Sequence, residues 1–114
     1  MTLRKIKNYV KAHDGATIDA STGDIALIDA GYMVSLAGYE TKTTLRRLSF
    51  KQVRYYLKEA KKRGAFLGLW LDNDGALYID LSVNIALLGN AVIMARANKQ
   101  LAIYDVKNAV SIYL

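Results

Sequence analysis

Two apolar runs, residues 66–72 and 76–83, flank Asn73-Asp74-Gly75. Asp-Gly suits a two-residue turn, because both central positions of such a turn take positive φ. The segment therefore reads as an antiparallel hairpin whose apolar faces the rest of the chain must cover. Closure over Asp74-Gly75 sets Trp70 opposite Ile79 and Gly68 opposite Leu81. Phe66, Trp70, Leu77, Ile79, Leu81 and Val83 then share one face; Leu67, Leu69, Leu71, Tyr78, Asp80 and Ser82 share the other. Both faces are largely apolar, which predicts a central pair of strands covered on both sides. Asp80 stands out, because this register points it into a leucine-rich face. There it would cap a neighbouring element, pair with an arginine, or act in catalysis, with nothing in the sequence supplying a second group.

The remaining segments supply the cover. Residues 2–13 read as a helix capped by Thr2, with Leu3, Ile6, Tyr9, Val10 and His13 on one face and Gly15 as terminator. Strands are expected at 16–20 and 24–28 around Ser21-Thr22-Gly23, then at 32–37 and 40–47. The last of these is polar and basic, which suits an edge. Residues 49–63 form the clearest helix. Ser49 and Gln52 fit a capping box, Phe50, Val53, Leu57 and Ala60 make the buried stripe, and Gly64 ends it. Residues 85–98 read as a helix that is apolar almost all round, capped by Asn84 and carrying Gly89, which suits a core or an interface. Residues 100–106 and 109–114 make a final hairpin. The order α-ββββ-α-ββ-α-ββ predicts one α+β domain over residues 1–114, with a largely antiparallel sheet.

Charge is sorted along this chain. Residues 42–63 hold nine Lys or Arg and one acid, Glu59, whereas residues 12–40 hold five acids and no Lys or Arg. The net charge is +6. The basic helix offers Lys51, Tyr55, Lys58 and Lys62, with Arg54 and Lys61 beside them and Arg46 and Arg47 just before it. Such cations neutralise phosphates and release counterions, and a tyrosine can stack on an unpaired base. The implied partner is nucleic acid, a nucleoprotein complex or an acidic protein. A plain solvated helix face is the competing reading. No helix-turn-helix spacing, zinc-finger spacing or RNP aromatic motif accompanies the charge.

Other chemistry is sparse. The chain has no cysteine, which excludes disulfides, thiolate metal sites and cysteine nucleophiles. It has no proline either, and we have no physical account of that. His13 is the single histidine, so histidine pairs for a metal are absent. Asp72-Asn73-Asp74-Gly75 fails as a calcium loop: with Gly75 at the sixth position the first ligand would be Trp70, and Leu81 stands where the closing glutamate belongs. No phosphate loop, cofactor motif, signal-peptide core or membrane-length apolar run is present. A cytoplasmic protein without a membrane partner and without a cofactor is expected.

Gly68-Leu69-Trp70, Asp74-Gly75, Tyr78-Ile79-Asp80 and residues 98–105, together with residues 31–35, resemble small uncharacterised proteins of phages and integrative mobile elements. The resemblance implies a bacterial, mobile-element setting, in which small proteins bind host proteins or nucleic acid and counteract host defence. Three functions are carried forward. The first is a non-enzymatic binding protein using helix 49–63 on nucleic acid or a nucleoprotein complex. The second is a homodimeric interaction module using helix 85–98 or a sheet edge. The third is a small enzyme built around Asp80, Tyr78 and His13.

Overall fold

The structure is a computed structural model that describes residues 2–114. Among these the elements run α1 (Leu3–His13), β1 (Gly15–Asp19), β2 (Tyr32–Ser35), β3 (Thr41–Thr44), α2 (Phe50–Arg63), β4 (Phe66–Leu71), β5 (Ala76–Ile85), α3 (Leu88–Ala97), β6 (Ala102–Asp105) and β7 (Val110–Tyr113). All strands join one antiparallel sheet in the order β1-β4-β5-β2-β6-β7, with β3 also paired to β5. The expected α+β architecture is the one observed. The radius of gyration, 13.4 Å, matches one globular unit of this length.

The hairpin register differs by one residue from the sequence expectation. Trp70 pairs with Tyr78, Leu69 with Ile79, Gly68 with Asp80, and Leu67 with Leu81. The cause lies in the connection, which spans Asn73-Asp74-Gly75 rather than two residues. The Asp72 carboxylate accepts from the amides of Asp74 and Ala76, each at 2.9 Å, and Asp72 N–H donates to the Ala76 carbonyl at 2.9 Å. Gly75 takes φ 84° to close the loop. A one-residue slip turns every side chain of one strand to the other face. Leu67, Leu69, Leu71, Leu77, Ile79 and Leu81 therefore all share a face, and Phe66, Gly68, Trp70, Tyr78, Asp80 and Ser82 share the opposite one.

This sorting decides where the helices sit. Ile6 and Val10 of α1 and Val53, Tyr56 and Ala60 of α2 pack on the leucine face of β4 and β5, together with Ile18 and Leu48. Ala91 and Ala95 of α3 pack on Val34 and Ile103, which continue the same face through β2 and β6. All three helices thus lie on one side of the sheet. The predicted cover on both faces is corrected: the second face carries no helix.

Strands β2 and β3 run end to end along one edge of β5, opposite residues 85–82 and 79–76 respectively. Residues 36–40 bulge out between them, opposite Asp80, with Leu36 N–H on the Leu81 carbonyl at 2.8 Å and Ala37 N–H on Asn98 Oδ1 at 3.0 Å. The strand expected at 24–28 is reduced to one bridge, Ile18 to Ile25. After that bridge and one further bond, Ala26 N–H to the Thr17 carbonyl, the segment leaves the β1 edge.

Helix ends follow local chemistry. Thr2 caps α1, accepting from Lys5 N–H at 3.2 Å. The α1 terminator is Asp14 at φ 61°, not Gly15. Gly15 instead begins β1, where a Cβ would lie 2.8 Å from the Leu69 carbonyl oxygen. In α2 the capping box is complete, with Gln52 N–H on Ser49 Oγ at 3.1 Å and Ser49 N–H on Gln52 Oε1 at 3.2 Å. Its buried stripe is Val53, Tyr56 and Ala60 with Leu57 half-buried; Phe50, expected inside, is exposed. The Tyr56 hydroxyl, hydrogen-bonded to that of Thr41, explains the rotation.

Helix α3 begins at Leu88 rather than residue 85, because β5 continues to Ile85. Asn84 is part of that strand and donates from Nδ2 to the Ala30 carbonyl at 2.9 Å, so it caps nothing. Gly89 falls in the first turn and escapes the cost of a helix interior. The helix is not buried all round. Its small residues Ala91 and Ala95 face the sheet, while Leu88 and Ile93 face solvent.

Candidate functional site

The capping box and the Tyr56 anchor fix the orientation of α2 on the sheet, and that orientation sends its cations outward. Lys51, Arg54, Tyr55, Lys58, Lys61 and Lys62 are all exposed on α2, and Arg46 and Arg47 are exposed in the turn before it. Arg47 N–H closes that turn on the Thr44 carbonyl at 3.1 Å and on Thr44 Oγ1 at 3.2 Å. Lys62 pairs with Glu59 at 3.2 Å. None of the other six cations makes an ion pair among the described residues. The Arg54 guanidinium lies 5.8 Å from the centre of the Phe50 ring, so exposed Phe50 serves as its support. Tyr55 packs edge-on against buried Tyr56, with centroids 5.2 Å apart, and leaves about half its surface open. All eight expected residues thus share the α2 surface and its entry turn. Phe50 is the residue that sequence reasoning misplaced; its i,i+4 spacing to Arg54 was the available signal.

A second site lies on the helix-free face. A cavity of about 860 Å³ opens there, walled by Trp70, Tyr78, Tyr104, Met33 and the residues 25–29 segment. Gly68 makes room for Asp80, since a Cβ at Gly68 would clash with Asp80 Oδ1. Ser35 Oγ donates to Asp80 Oδ2 at 2.6 Å. Burial lifts the Asp80 carboxyl above the usual aspartate range; the Ser35 hydrogen bond opposes this, and the negative charge of Glu40 adds to it. Trp70 and Tyr78 stack at a tilt, centroids 5.3 Å apart, and Lys42 Nζ lies 5.8 Å from the Tyr78 ring centre. Asp80 is therefore not set among leucines as its expected register required; the corrected pairing places it in a cavity.

His13, Tyr78 and Asp80 all line this cavity. Chemically they are not assembled. His13 Nδ1–H donates to the Tyr9 carbonyl at 3.0 Å and its ring stacks on Tyr9 at 4.0 Å, while Asp80 accepts its hydrogen bond from Ser35. No hydrogen bond joins His13, Tyr78 and Asp80 to one another among the described residues. Nor do three His, Asp or Glu side chains there converge as metal ligands.

The Asp80 shift gives a stability prediction with a definite sign. A raised folded-state value means the folded chain holds the proton more tightly than the unfolded chain. Stability is then lost as pH climbs from the ordinary aspartate range through the raised value. Asp80→Asn removes that loss and retains an acceptor for Ser35. The variant is expected to match the wild type near about pH 3 and to be the more stable near about pH 7, by about 1.4 kcal/mol for each unit of elevation. Denaturant melts across pH read this directly; parallel profiles would contradict it.

Further apolar side chains are exposed towards the β6–β7 end of the sheet. Leu88 and Ile93 of α3, Leu101, and Val110, Tyr113 and Leu114 at edge strand β7 are exposed. No helix among the described residues is long and apolar enough to cross a membrane. No protein-family model matches the chain, and neither a curated protein nor a solved structure shows significant similarity to it.

Proposed function

We propose that this chain is a non-enzymatic binding protein whose α2 face and preceding turn contact nucleic acid or a nucleoprotein complex. The observation that carries this reading is the unneutralised charge: six of the seven named cations make no ion pair among the described residues, and all seven are exposed. Arg46 and Arg47 extend the cationic surface beyond the helix, and Tyr55 offers an oriented ring for stacking on an unpaired base. In the mobile-element setting implied by the sequence resemblance, such contact would serve to counteract host defence.

The test is binding of a fluorescent single-stranded oligonucleotide at rising salt. With about four phosphate contacts, affinity is expected to fall by about 50-fold between about 50 and 200 mM salt. An affinity independent of salt would contradict the proposal. A second reading, homodimerisation, is favoured by the exposed apolar side chains of α3 and β7. It predicts a dimeric mass in light scattering that Ile93→Glu reduces to the monomer; a monomeric wild type at high concentration removes it.

A further inference from the structure

The acid-rich segment that sequence reading singled out finds no role in the α2 surface. Two of its five acids lie instead on the opposite side of the sheet. Asp29 and Glu40, from that segment, line the cavity with Asp80, and no Lys or Arg among the described residues lines it. In a chain of net charge +6 this is a local reversal of sign. The walls are aromatic. Trp70 is 58% exposed and Tyr104 is 42% exposed, so both rings are open to a ligand. Lys42 already lays its ammonium over Tyr78, at the margin of the cavity, so this surface accepts a cation from its own chain. Trp70 and Tyr104 have no such occupant among the described residues. The volume, about 860 Å³, lies within the range of small-ligand sites, about 300–1,000 Å³.

We infer that this cavity binds a small organic cation, an amine, amidinium or guanidinium carried on a flat apolar body. The body lies against Trp70, which the register sets diagonally beside Asp80, and the positive group meets Asp80, with Glu40 close enough to add its field. Asp80 is held ready by two features: Gly68 leaves its Oδ1 side free of a Cβ, and Ser35 fixes Oδ2 at 2.6 Å. A cation beside Asp80 offsets both the burial of its carboxyl and the repulsion from Glu40. Anions are excluded by the same carboxylates, so this site does not duplicate the α2 surface.

Trp70 is the single tryptophan of the chain, so its fluorescence reports on the cavity directly. The probes are benzamidine, its neutral isostere benzamide, and benzoate. Benzamidine is expected to change Trp70 emission saturably, while benzamide and benzoate bind at least about tenfold more weakly. Asp80→Asn is expected to weaken benzamidine by about tenfold or more while leaving benzamide unchanged. The glutamate variant of Lys51, Arg54, Lys58 and Lys62 should bind benzamidine as the wild type does, which separates this site from the nucleic-acid surface. Two-dimensional NMR of the Gly68 and Ser35 amides provides a second readout and confirms that each variant is folded. Equal affinity for the three probes, no saturable change with benzamidine, or an Asp80→Asn variant that binds it as tightly as the wild type would overturn the inference.

Discussion

Reversing Lys51, Arg54, Lys58 and Lys62 to glutamate together is expected to lower oligonucleotide affinity by about 100-fold or more at about 50 mM salt. Each substitution removes a cation from the exposed α2 face and puts an anion in its place. The fold should survive, because none of the four side chains enters the core under the sheet. Exposed substitutions of this kind cost about 0.5 kcal/mol or less each. Lys62 carries a further small cost, since it loses its pairing with Glu59 and its favourable place in the last helical turn. Melting should therefore fall by no more than about 10 °C while binding is lost. If α2 is only a solvated face, the variant will bind as the wild type does.

The contrast between Leu81→Ala and Trp70→Ala is the second large effect. Leu81 is fully buried beneath the helices, and its truncation is expected to cost about 2–5 kcal/mol. That is a large part of the total stability of an ordinary domain, about 5–15 kcal/mol. Trp70 stands on the helix-free face and is more than half exposed, so its truncation should cost about 1 kcal/mol, from lost contact with Tyr78. The two-residue loop would have put Trp70 in the same core layer as Leu81 and made both changes severe. Denaturant unfolding of the two variants thus reads the hairpin register as well as the core.

The same register marks the boundary of what the sequence discloses. Devices that act within a few residues were legible: the Thr2 cap, the Ser49–Gln52 capping box and the Ser21-Thr22-Gly23 turn all act where their residues predict. Asp-Gly also signalled a turn correctly. Its length, however, depends on the Asp72 carboxylate, which holds the amides of Asp74 and Ala76 and admits one more residue. That single residue moves Asp80 and Trp70 out of the core. The stripe of α2 was missed for a related reason. Phe50 and Tyr56 fit neighbouring helical faces, and the choice between them rests on Thr41 of β3, fifteen residues before Tyr56. In α3 the apolar count overstated burial, because a helix lying on alanines sits close to the sheet and turns its larger side chains outward.

The basic surface was legible as residues because exposure of Lys and Arg needs no long-range information. The cavity was not. Gly68 and Asp80 are twelve positions apart, and His13, Asp29 and Tyr104 come from separate elements. Only strand pairing brings them to one face.

The central claim is that nucleic acid docks on α2 and its entry turn. Amide chemical shifts of the isotope-labelled chain, followed as a single-stranded oligonucleotide is added, test it residue by residue. The account predicts shifts concentrated at residues 46–62, with Arg47, Lys51, Arg54, Tyr55 and Lys58 among the largest and the helix-free face unmoved. Shifts centred on Trp70 and Asp80, or none at all at a concentration of oligonucleotide where the basic face should be saturated, would contradict it.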